Sequence, residues 1–236
     1  MLKRLSVAAV LVALSTAAHA STFTTITNFT KNMDNVDNPG ALNAPVGLST
    51  GNQGTGIEFD IVNDINGNDV WHSDPGGAGT KTLTINVNQF GVTTVHTLMN
   101  TWWGTTATGL ASIEFSGTNG ASVLYDIVGG THVRDLLNGF YTNTITSPDS
   151  QVWWSNGLTG LDQRRIDVQS WDLGAAFANE TLQTITLTDM GAAELQRVYL
   201  AGLTLETDAA PVPLPAAGWM LLAALGGLAY AKRRAA

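Results

Sequence analysis

The sequence contains no cysteine, which excludes disulfide cross-links and thiol chemistry. Basic residues are also scarce, and five of the eleven lie within the first four and the last five positions. The segment between them therefore sets six basic residues against nineteen acidic ones, a net charge of −13. Because such a surface repels nucleic acids and anionic lipid headgroups, we expect no nucleic-acid partner. A soluble secreted surface is the simplest interpretation.

Recognisable metal and phosphate motifs are missing as well. Beyond the first twenty residues there are three histidines, His72, His96 and His132, and their spacing matches no zinc motif. There is no P-loop. A carboxylate pair for glycoside hydrolysis is defined by its separation in space, so a sequence does not reveal it. We expect a protein that is not an enzyme, with a secreted glycan-active hydrolase as an alternative.

The first twenty residues have the three parts of a secretory signal. Lys3 and Arg4 form a positive start, and Leu5–Ala17 is an apolar stretch. Residues 18–20, Ala-His-Ala, have the small-x-small form that signal peptidase accepts. We predict that signal peptidase cleaves after Ala20 and that residues 1–20 are lost on export.

The last 25 residues, 212–236, also divide into parts. A motif with two prolines comes first: Val212, Pro213, Leu214, Pro215 and Ala216. Residues 216–231 are apolar and uncharged, and the basic cluster Lys232, Arg233 and Arg234 follows. These sixteen residues span about 24 Å as a transmembrane helix, so the bilayer must thin or the flanking groups must snorkel. The basic cluster would hold the C-terminus in the cytoplasm, with the helix in the inner membrane.

This order of motif, apolar span and basic cluster resembles the PEP-CTERM family of sorting tails, in its VPLPA variant. Val-Pro-Leu-Pro stands where the Pro-Glu-Pro form has its motif. The resemblance implies recognition by an exosortase, cleavage near the motif and loss of the helix. It also implies attachment at the cell surface or in the extracellular matrix of a Gram-negative bacterium, where such cargo is associated with exopolysaccharide and biofilm. A plain single-span anchor is the alternative.

Between the two ends, residues 21–206 have the composition of strands and turns, and residues 207–211 are a predicted linker. Period-two alternation predicts strands, which are 81–90, 112–115, 122–128, 165–171, 181–188 and 197–206. This spacing predicts an all-β domain, an antiparallel β-sandwich of jelly-roll type with few, short helices. The strand order and aromatic placement are similar to galactose-binding-like domains, a resemblance that implies carbohydrate binding as a common use.

Two pairs of adjacent tryptophans are candidate carbohydrate-binding residues: Trp102, Trp103, Trp153 and Trp154. Adjacent residues of a strand point to opposite faces, so one indole of each pair can face solvent and stack on a sugar ring. The predicted polar partners for sugar hydroxyls are Asn100, Asn156, Arg134 and Asp135. The alternative is that all four indoles pack in the interior of the sandwich or at its rim, and that Arg134 forms an ion pair, for example with Asp126.

The densest group of side-chain oxygens predicts a calcium site: Asp64, Asn66, Asn68, Asp69 and Asp74. The D-x-N-x-N start resembles an EF-type loop. Asp69 stands where that loop needs glycine, and Pro75 stands where it needs a bidentate glutamate. A polar loop with an Asn-Gly turn is the alternative, so no cofactor is certain and Ca²⁺ would have a structural role.

Three hypotheses for function follow. The first is an exported, exosortase-sorted surface protein, non-catalytic, that binds or associates with exopolysaccharide. The second is a structural matrix or adhesion protein without a defined glycan site, and the third is the hydrolase. The predicted partners are signal peptidase, an exosortase-type enzyme, the inner membrane and polysaccharide.

Overall fold

Strands account for most of the chain that the structure describes. The computed structural model describes residues 20–33, 44–73, 79–102, 109, 111–137, 139, 143–191 and 197–207. The predicted signal peptide up to residue 19, the sorting motif, the apolar span and the basic cluster lie outside these residues. The strands are β1 (Ala20–Phe23), β2 (Gly47–Ser49), β3 (Phe59–Ile61), β4 (Trp71–His72), β5 (Lys81–Phe90), β6 (Val92–Trp102), β7 (Ala111–Gly117), β8 (Ser122–Ile127), β9 (Ser150–Ser155), β10 (Arg165–Asp172), β11 (Thr181–Asp189) and β12 (Arg197–Thr207).

Alternation of apolar and polar residues explains the strands of the sheet that contains β5, β7 and β8. In β5, Leu83 and Ile85 are buried while Thr82 and Thr84 are exposed, as a strand with one covered face requires. β7 and β8 form a hairpin whose turn is closed by the Gly117 N–H donating to the carbonyl of residue 121 at 2.7 Å. The six predicted strands are all present, with bounds that differ by at most two residues.

The described strands form three antiparallel sheets. A six-stranded sheet has the order β1-β12-β6-β10-β9, with β4 also paired to β12. A four-stranded sheet has the order β5-β11-β7-β8, and β2 pairs with β3 alone. The prediction of an all-β fold built from antiparallel strands is confirmed. Its finer part, the jelly-roll or galactose-binding-like sandwich, stays a prediction.

The six-stranded sheet is covered on both faces. On one face Val95 of β6 belongs to a core that it shares with Ile113 of β7 in the four-stranded sheet, which we call the first core. On the other face Leu98 of β6 packs in a second core with Phe59 of β3 and Trp153 of β9. Because successive strand residues alternate between faces, β6 supplies side chains to both cores. Polar residues of this sheet are therefore buried too.

Helical structure is limited to short turns in the described residues. Two 3-10 turns lie entirely within the described residues, Gly160–Asp162 and Gly174–Ala176. The described part of the chain contains no helix of the length and apolarity needed to cross a membrane, and residues 216–231 are not in that part.

Candidate functional site

The second tryptophan pair lies inside the second core. Trp153 has no exposed surface and Trp154 is 8% exposed. Trp153 Nε1 donates to the Ile57 carbonyl at 2.9 Å, and Phe59 packs edge-on against its ring at 5.5 Å. A register shift between β9 and β10 leaves Trp153 unpaired, so the two indoles enter the same core instead of opposite faces. Neither indole offers a face to a sugar ring in this structure, which is the arrangement of the packing alternative.

The first tryptophan pair is only partly described. Trp102 ends β6 and is half-buried, with its ring edge-on to Tyr199 at 6.3 Å between centroids. Trp103 lies outside the described residues. Carbohydrate binding at this pair stays a prediction.

Arg134 belongs to a buried ion pair. Its Nε and Nη2 donate to the two carboxylate oxygens of Asp167, both at 2.7 Å. Asn100 donates from Nδ2 to Asp167 Oδ2 at 3.0 Å and accepts from the Asp167 N–H at 2.9 Å. An ion pair is confirmed, but Asp126 as its example partner is wrong, since Asp126 lies exposed on β8. Because a buried charge needs its hydrogen bonds satisfied, Asn100 and Arg134 are committed to Asp167.

Asp135 and Arg165 are buried beside this ion pair. Asp135 Oδ1 accepts from the Leu137 N–H at 2.8 Å. Burial lowers the pKa of the Arg165 guanidinium, as does the positive charge of Arg134, while Asp167 and Asp135 oppose the shift. Asn100, Arg134 and Asp135 therefore belong to a buried polar network, whereas Asn156 follows β9 and its Oδ1 accepts from the Arg164 N–H at 3.1 Å.

The acidic segment predicted to bind calcium forms a turn closed by its own backbone. Asp64 Oδ1 accepts from the N–H groups of Asn66 and Asn68 at 2.7 and 2.9 Å. These hydrogen bonds, the one from Asn68 first, lower the pKa of Asp64. Asp69 is buried elsewhere in the fold, and its Oδ1 accepts from the Met33 N–H at 2.7 Å. The turn alternative thus describes what Asp64 does in this structure.

Asp74, the remaining predicted calcium ligand, lies outside the described residues. Within the described ranges, no three His, Cys, Asp or Glu side chains are grouped as a metal site. Calcium binding at this segment stays a prediction.

A pocket of about 200 Å³ lies where the β8 edge of the four-stranded sheet meets β9 and β10. We call it the aromatic–carboxylate pocket, and its lining residues are Tyr125, His132, Ser147, Asp149, Ser150, Gln169, Ser170, Trp171 and Asp172. Strand pairing brings the β9 and β10 segments together, because Ser150 is the register partner of Gln169. Pockets for drug-sized ligands enclose roughly 300–1,000 Å³, so this one suits a single sugar-sized ring.

Three rings meet in the aromatic–carboxylate pocket. The Tyr125 and His132 rings lie 5.3 and 5.7 Å from Trp171, measured between centroids, and both are tilted against it. Trp171 is buried and donates from Nε1 to Thr97 Oγ1 at 2.9 Å, so it forms the floor. Tyr125 and His132 are partly exposed and form walls, and the Tyr125 hydroxyl donates to the Asp172 carbonyl.

Polar groups in this pocket lack protein partners among the described residues. Ser150 is 8% exposed, and its Oγ has no hydrogen-bond partner there. His132 Nδ1 accepts from the Val128 N–H at 3.1 Å, so the neutral ring carries its proton on Nε2, which has no partner in the described part of the chain. An unsatisfied buried polar group costs about 1–3 kcal/mol, and a hydroxyl or amine of a ligand would relieve it.

The charged side chains that line the pocket, Asp149 and Asp172, are both acidic. Burial raises the pKa of the Tyr125 hydroxyl, and the carboxylates of Asp172 and Asp149 raise it further. Burial lowers the pKa of His132, against the opposing effect of Asp149 and Asp126. No lysine or arginine is among the lining residues that the structure describes. The pocket therefore favours hydroxyl donors and cations over anions.

Next to the pocket, a row of Ser170, His96 and Glu206 crosses three neighbouring strands. His96 Nδ1 lies 2.9 Å from Ser170 Oγ, and His96 Nε2 lies 3.3 Å from Glu206 Oε1. The second contact is within ion-pair distance but is not aligned as a hydrogen bond. The Ser170 N–H donates to the Asp149 carbonyl, so it cannot serve as an oxyanion donor. The residue types match a Ser-His-acid triad, but the geometry is incomplete.

Residues 47–51, Gly-Leu-Ser-Thr-Gly, fit the G-x-S-x-G spacing of a nucleophile elbow. Ser49 ends β2, and its Oγ accepts from the Gly51 N–H at 3.1 Å. A nucleophile elbow requires a strand-to-helix turn, and residues 50–58 contain no helix. The match therefore has no catalytic context.

Sequence reasoning missed the aromatic–carboxylate pocket because its residues come from three separate segments: 125–132, 147–150 and 169–172. Pairing of β9 with β10 joins the last two segments, and packing of the Tyr125 and His132 rings against Trp171 brings in the first. The signals available were His132 and Trp171, the latter at the end of a predicted strand. Neither residue indicates a pocket unless it is known that β8 lies at the edge of its sheet.

Models of known protein families give no match to this sequence, and no curated protein matches it at a significant level. Function must therefore be inferred from the site itself.

Proposed function

We propose that this protein is an exported cell-surface protein whose all-β domain binds exopolysaccharide through the aromatic–carboxylate pocket, without catalysis. One observation carries the proposal: three rings, an unpartnered hydroxyl and two carboxylates line one cavity. Aromatic faces pack on the C–H groups of a sugar ring, while carboxylates and hydroxyls take its hydroxyl groups. The proposed site thus moves from Trp153 and Trp154 to Tyr125 and His132.

Export is the second part of the proposal. Signal peptidase would remove residues 1–20, and an exosortase would act near Val212–Ala216. In support, Ser21, the first residue after the predicted cleavage, pairs with Glu206 where β1 meets the end of β12. The positions where the two targeting segments join the domain are therefore adjacent on one sheet edge. A folded domain could then form while both segments are in the inner membrane.

The third part of the proposal concerns the fold type. We propose that the two larger sheets form a sandwich of the jelly-roll or galactose-binding-like type. The first core, which takes side chains from both sheets, supports this arrangement. An experimental structure with a different connection between the sheets would contradict it.

Retention of the purified full chain in gels containing polysaccharide from the producing cells tests glycan binding. Tyr125→Ala should abolish retention, because it removes a wall of the pocket. Phe90→Ala is the matched control, since Phe90 is an aromatic residue 58% exposed on β5, away from the pocket. Unfolding temperatures show whether each variant is folded. Equal retention of Tyr125→Ala and wild type would contradict the proposal and favour a matrix protein without a defined glycan site.

Export is tested with a neutral reporter fused to residues 207–236. Pro213→Ala together with Pro215→Ala should block processing and leave the fusion in the inner membrane. Processing that ignores both changes would contradict sorting and favour a plain anchor.

A second candidate, a secreted hydrolase that removes ester-linked acyl groups from a polysaccharide, is favoured by the Ser170, His96 and Glu206 row alone, because a Ser-His-acid row performs acyl transfer. The non-catalytic proposal predicts no release of acyl groups from a panel of esterified polysaccharides and no labelling by a serine-reactive phosphonate. Acyl release that disappears in Ser170→Ala would replace the non-catalytic proposal.

A further inference from the structure

The charge of the aromatic–carboxylate pocket selects among sugar chemistries, which we classify by charge as neutral, anionic and cationic. Asp149 is exposed, and its carboxylate makes no hydrogen bond within the described ranges. Asp172 uses Oδ1 to accept from the Gly174 N–H at 2.8 Å. Two carboxylates thus line one small cavity, and no cationic side chain of the described lining offsets them.

The rings add a second preference for positive charge. A cation near the face of Tyr or Trp is attracted by the ring quadrupole, and the attraction is stronger when the cation is partly desolvated. The ring of Tyr125, in the wall of the cavity, lies 5.3 Å from that of Trp171 in its floor. A cation that reaches Asp149 from inside the pocket would lie beside these rings. The carboxylates and the rings therefore favour the same kind of group.

Independent support comes from Ser150, which is the residue after Asp149. Its Oγ is buried and has no hydrogen-bond partner among the described residues, although Ser150 lines the cavity. An acceptor without a donor beside a free carboxylate suits a group that can donate several hydrogen bonds. An ammonium group donates three.

We infer that the sugar unit held in this pocket carries a free amine, so that the ligand is an amine-bearing, non-acetylated polysaccharide. This inference rests on the proposed function and adds a ligand class to it. The ammonium donates to Asp149 and Ser150 Oγ, and the sugar ring packs against Tyr125 and His132. N-acetylation removes the charge and adds bulk, and uronic or sulfated sugars are repelled.

The test compares two probes that share a backbone: chitosan oligosaccharides and their fully N-acetylated counterparts. The purified full chain should bind the amine form about tenfold more tightly, which corresponds to about 1.4 kcal/mol. Asp149→Asn should remove that difference while the protein stays folded, because Asp149 is exposed and its side chain has no hydrogen bond in the described part of the chain.

Asp162→Asn controls for the attraction of a polycation to an acidic protein. Asp162 is also exposed, and it lies outside the pocket. It should leave the preference for the amine unchanged. An equal loss in Asp162→Asn and Asp149→Asn would overturn the inference, because general surface charge would then explain the preference.

The remaining outcomes separate the inference from the proposed function. Equal binding of both probes that still depends on Tyr125 would overturn the amine inference and leave glycan binding intact. Binding of neither probe, together with no retention by polysaccharide from the producing cells, would overturn both.

Discussion

The four-stranded and the six-stranded sheet bury polar residues very differently. On the four-stranded sheet one face joins the first core and the other carries exposed residues such as Thr82, Thr84 and Asp126. The six-stranded sheet has cores on both faces, so Asp167 and Gln169 of β10 are almost completely buried. A polar strand residue therefore tends to face solvent in the four-stranded sheet, whereas in the six-stranded sheet it can belong to a buried hydrogen-bond network.

The difference determines where a ligand can bind. The predicted carbohydrate-binding residues that the structure describes lie on the six-stranded sheet or packed against it, where Asp167 and the second core occupy them. The aromatic–carboxylate pocket lies instead where the edge of the four-stranded sheet leaves Tyr125 uncovered beside Trp171. Exposed polar and aromatic groups meet there because no further layer covers that edge in the described structure.

Removing Asp167 should have the largest effect on stability. Asp167→Ala leaves Arg134 buried without its counter-ion, and breaking a buried pair typically costs about 3–5 kcal/mol. The matched control is Asp126→Ala on β8, where the same truncation at an exposed site should stay within about 0.5 kcal/mol. Denaturant unfolding measures both. Similar losses at the two sites would contradict the contrast between the sheets.

Replacing a neutral buried residue should also cost more stability than replacing an exposed one, although the loss should be smaller than for Asp167. Gln169 Oε1 accepts from Thr97 Oγ1 and from the Met99 N–H, both at 3.1 Å, and its Nε2 donates to the Met99 carbonyl at 2.9 Å. Gln169→Leu should cost about 1–3 kcal/mol, because it leaves Met99 backbone groups unsatisfied. Gln89→Leu on β5 should cost under about 0.5 kcal/mol in the same unfolding experiment. A stable Gln169→Leu variant would show that this network contributes little.

Acidification should weaken the six-stranded sheet through His96. Burial lowers the pKa of His96 below 6.5, although Glu206 raises it. Above 6.5 the imidazole is neutral in both states, and below it the unfolded chain binds the proton first, so stability falls as pH falls. His96→Gln should reduce the slope of the unfolding temperature against pH in that range. An unchanged slope would show that His96 does not cause the loss of stability at low pH.

The four-stranded sheet should lose stability at a lower pH, when Glu180 is protonated. Glu180 immediately precedes β11, and its Oε1 accepts hydrogen bonds from Thr118 Oγ1 and from the N–H groups of Thr118, Asn119 and Thr181. These hydrogen bonds, the one from the Thr118 hydroxyl first, lower the pKa of Glu180 below 4.5. Its contribution is present above 4.5 and is lost as pH falls through the lowered pKa. Glu180→Gln should lower the unfolding temperature at neutral pH and flatten its decline below pH 4.5. A decline as steep as in wild type would contradict this role.

These contrasts explain what could be predicted from the sequence. β5 could be predicted to the residue, because Leu83 and Ile85 face a core while Thr82 and Thr84 face solvent. In β10 the predicted strand was correct, but its polar residues gave no sign that both faces are covered. Trp153 escaped prediction because a one-residue register shift moves an indole from one face to the other. The pocket escaped prediction because sequence does not reveal which strand forms an edge.

Hydrogen exchange of the full chain, with and without polysaccharide from the producing cells, tests most directly where the ligand binds. We predict added protection in residues 122–133, 147–151 and 169–172, and unchanged exchange at Trp102 and in 152–155. Protection centred on Trp102 and Arg134, with none around Tyr125 and Trp171, would contradict the assignment of the binding site.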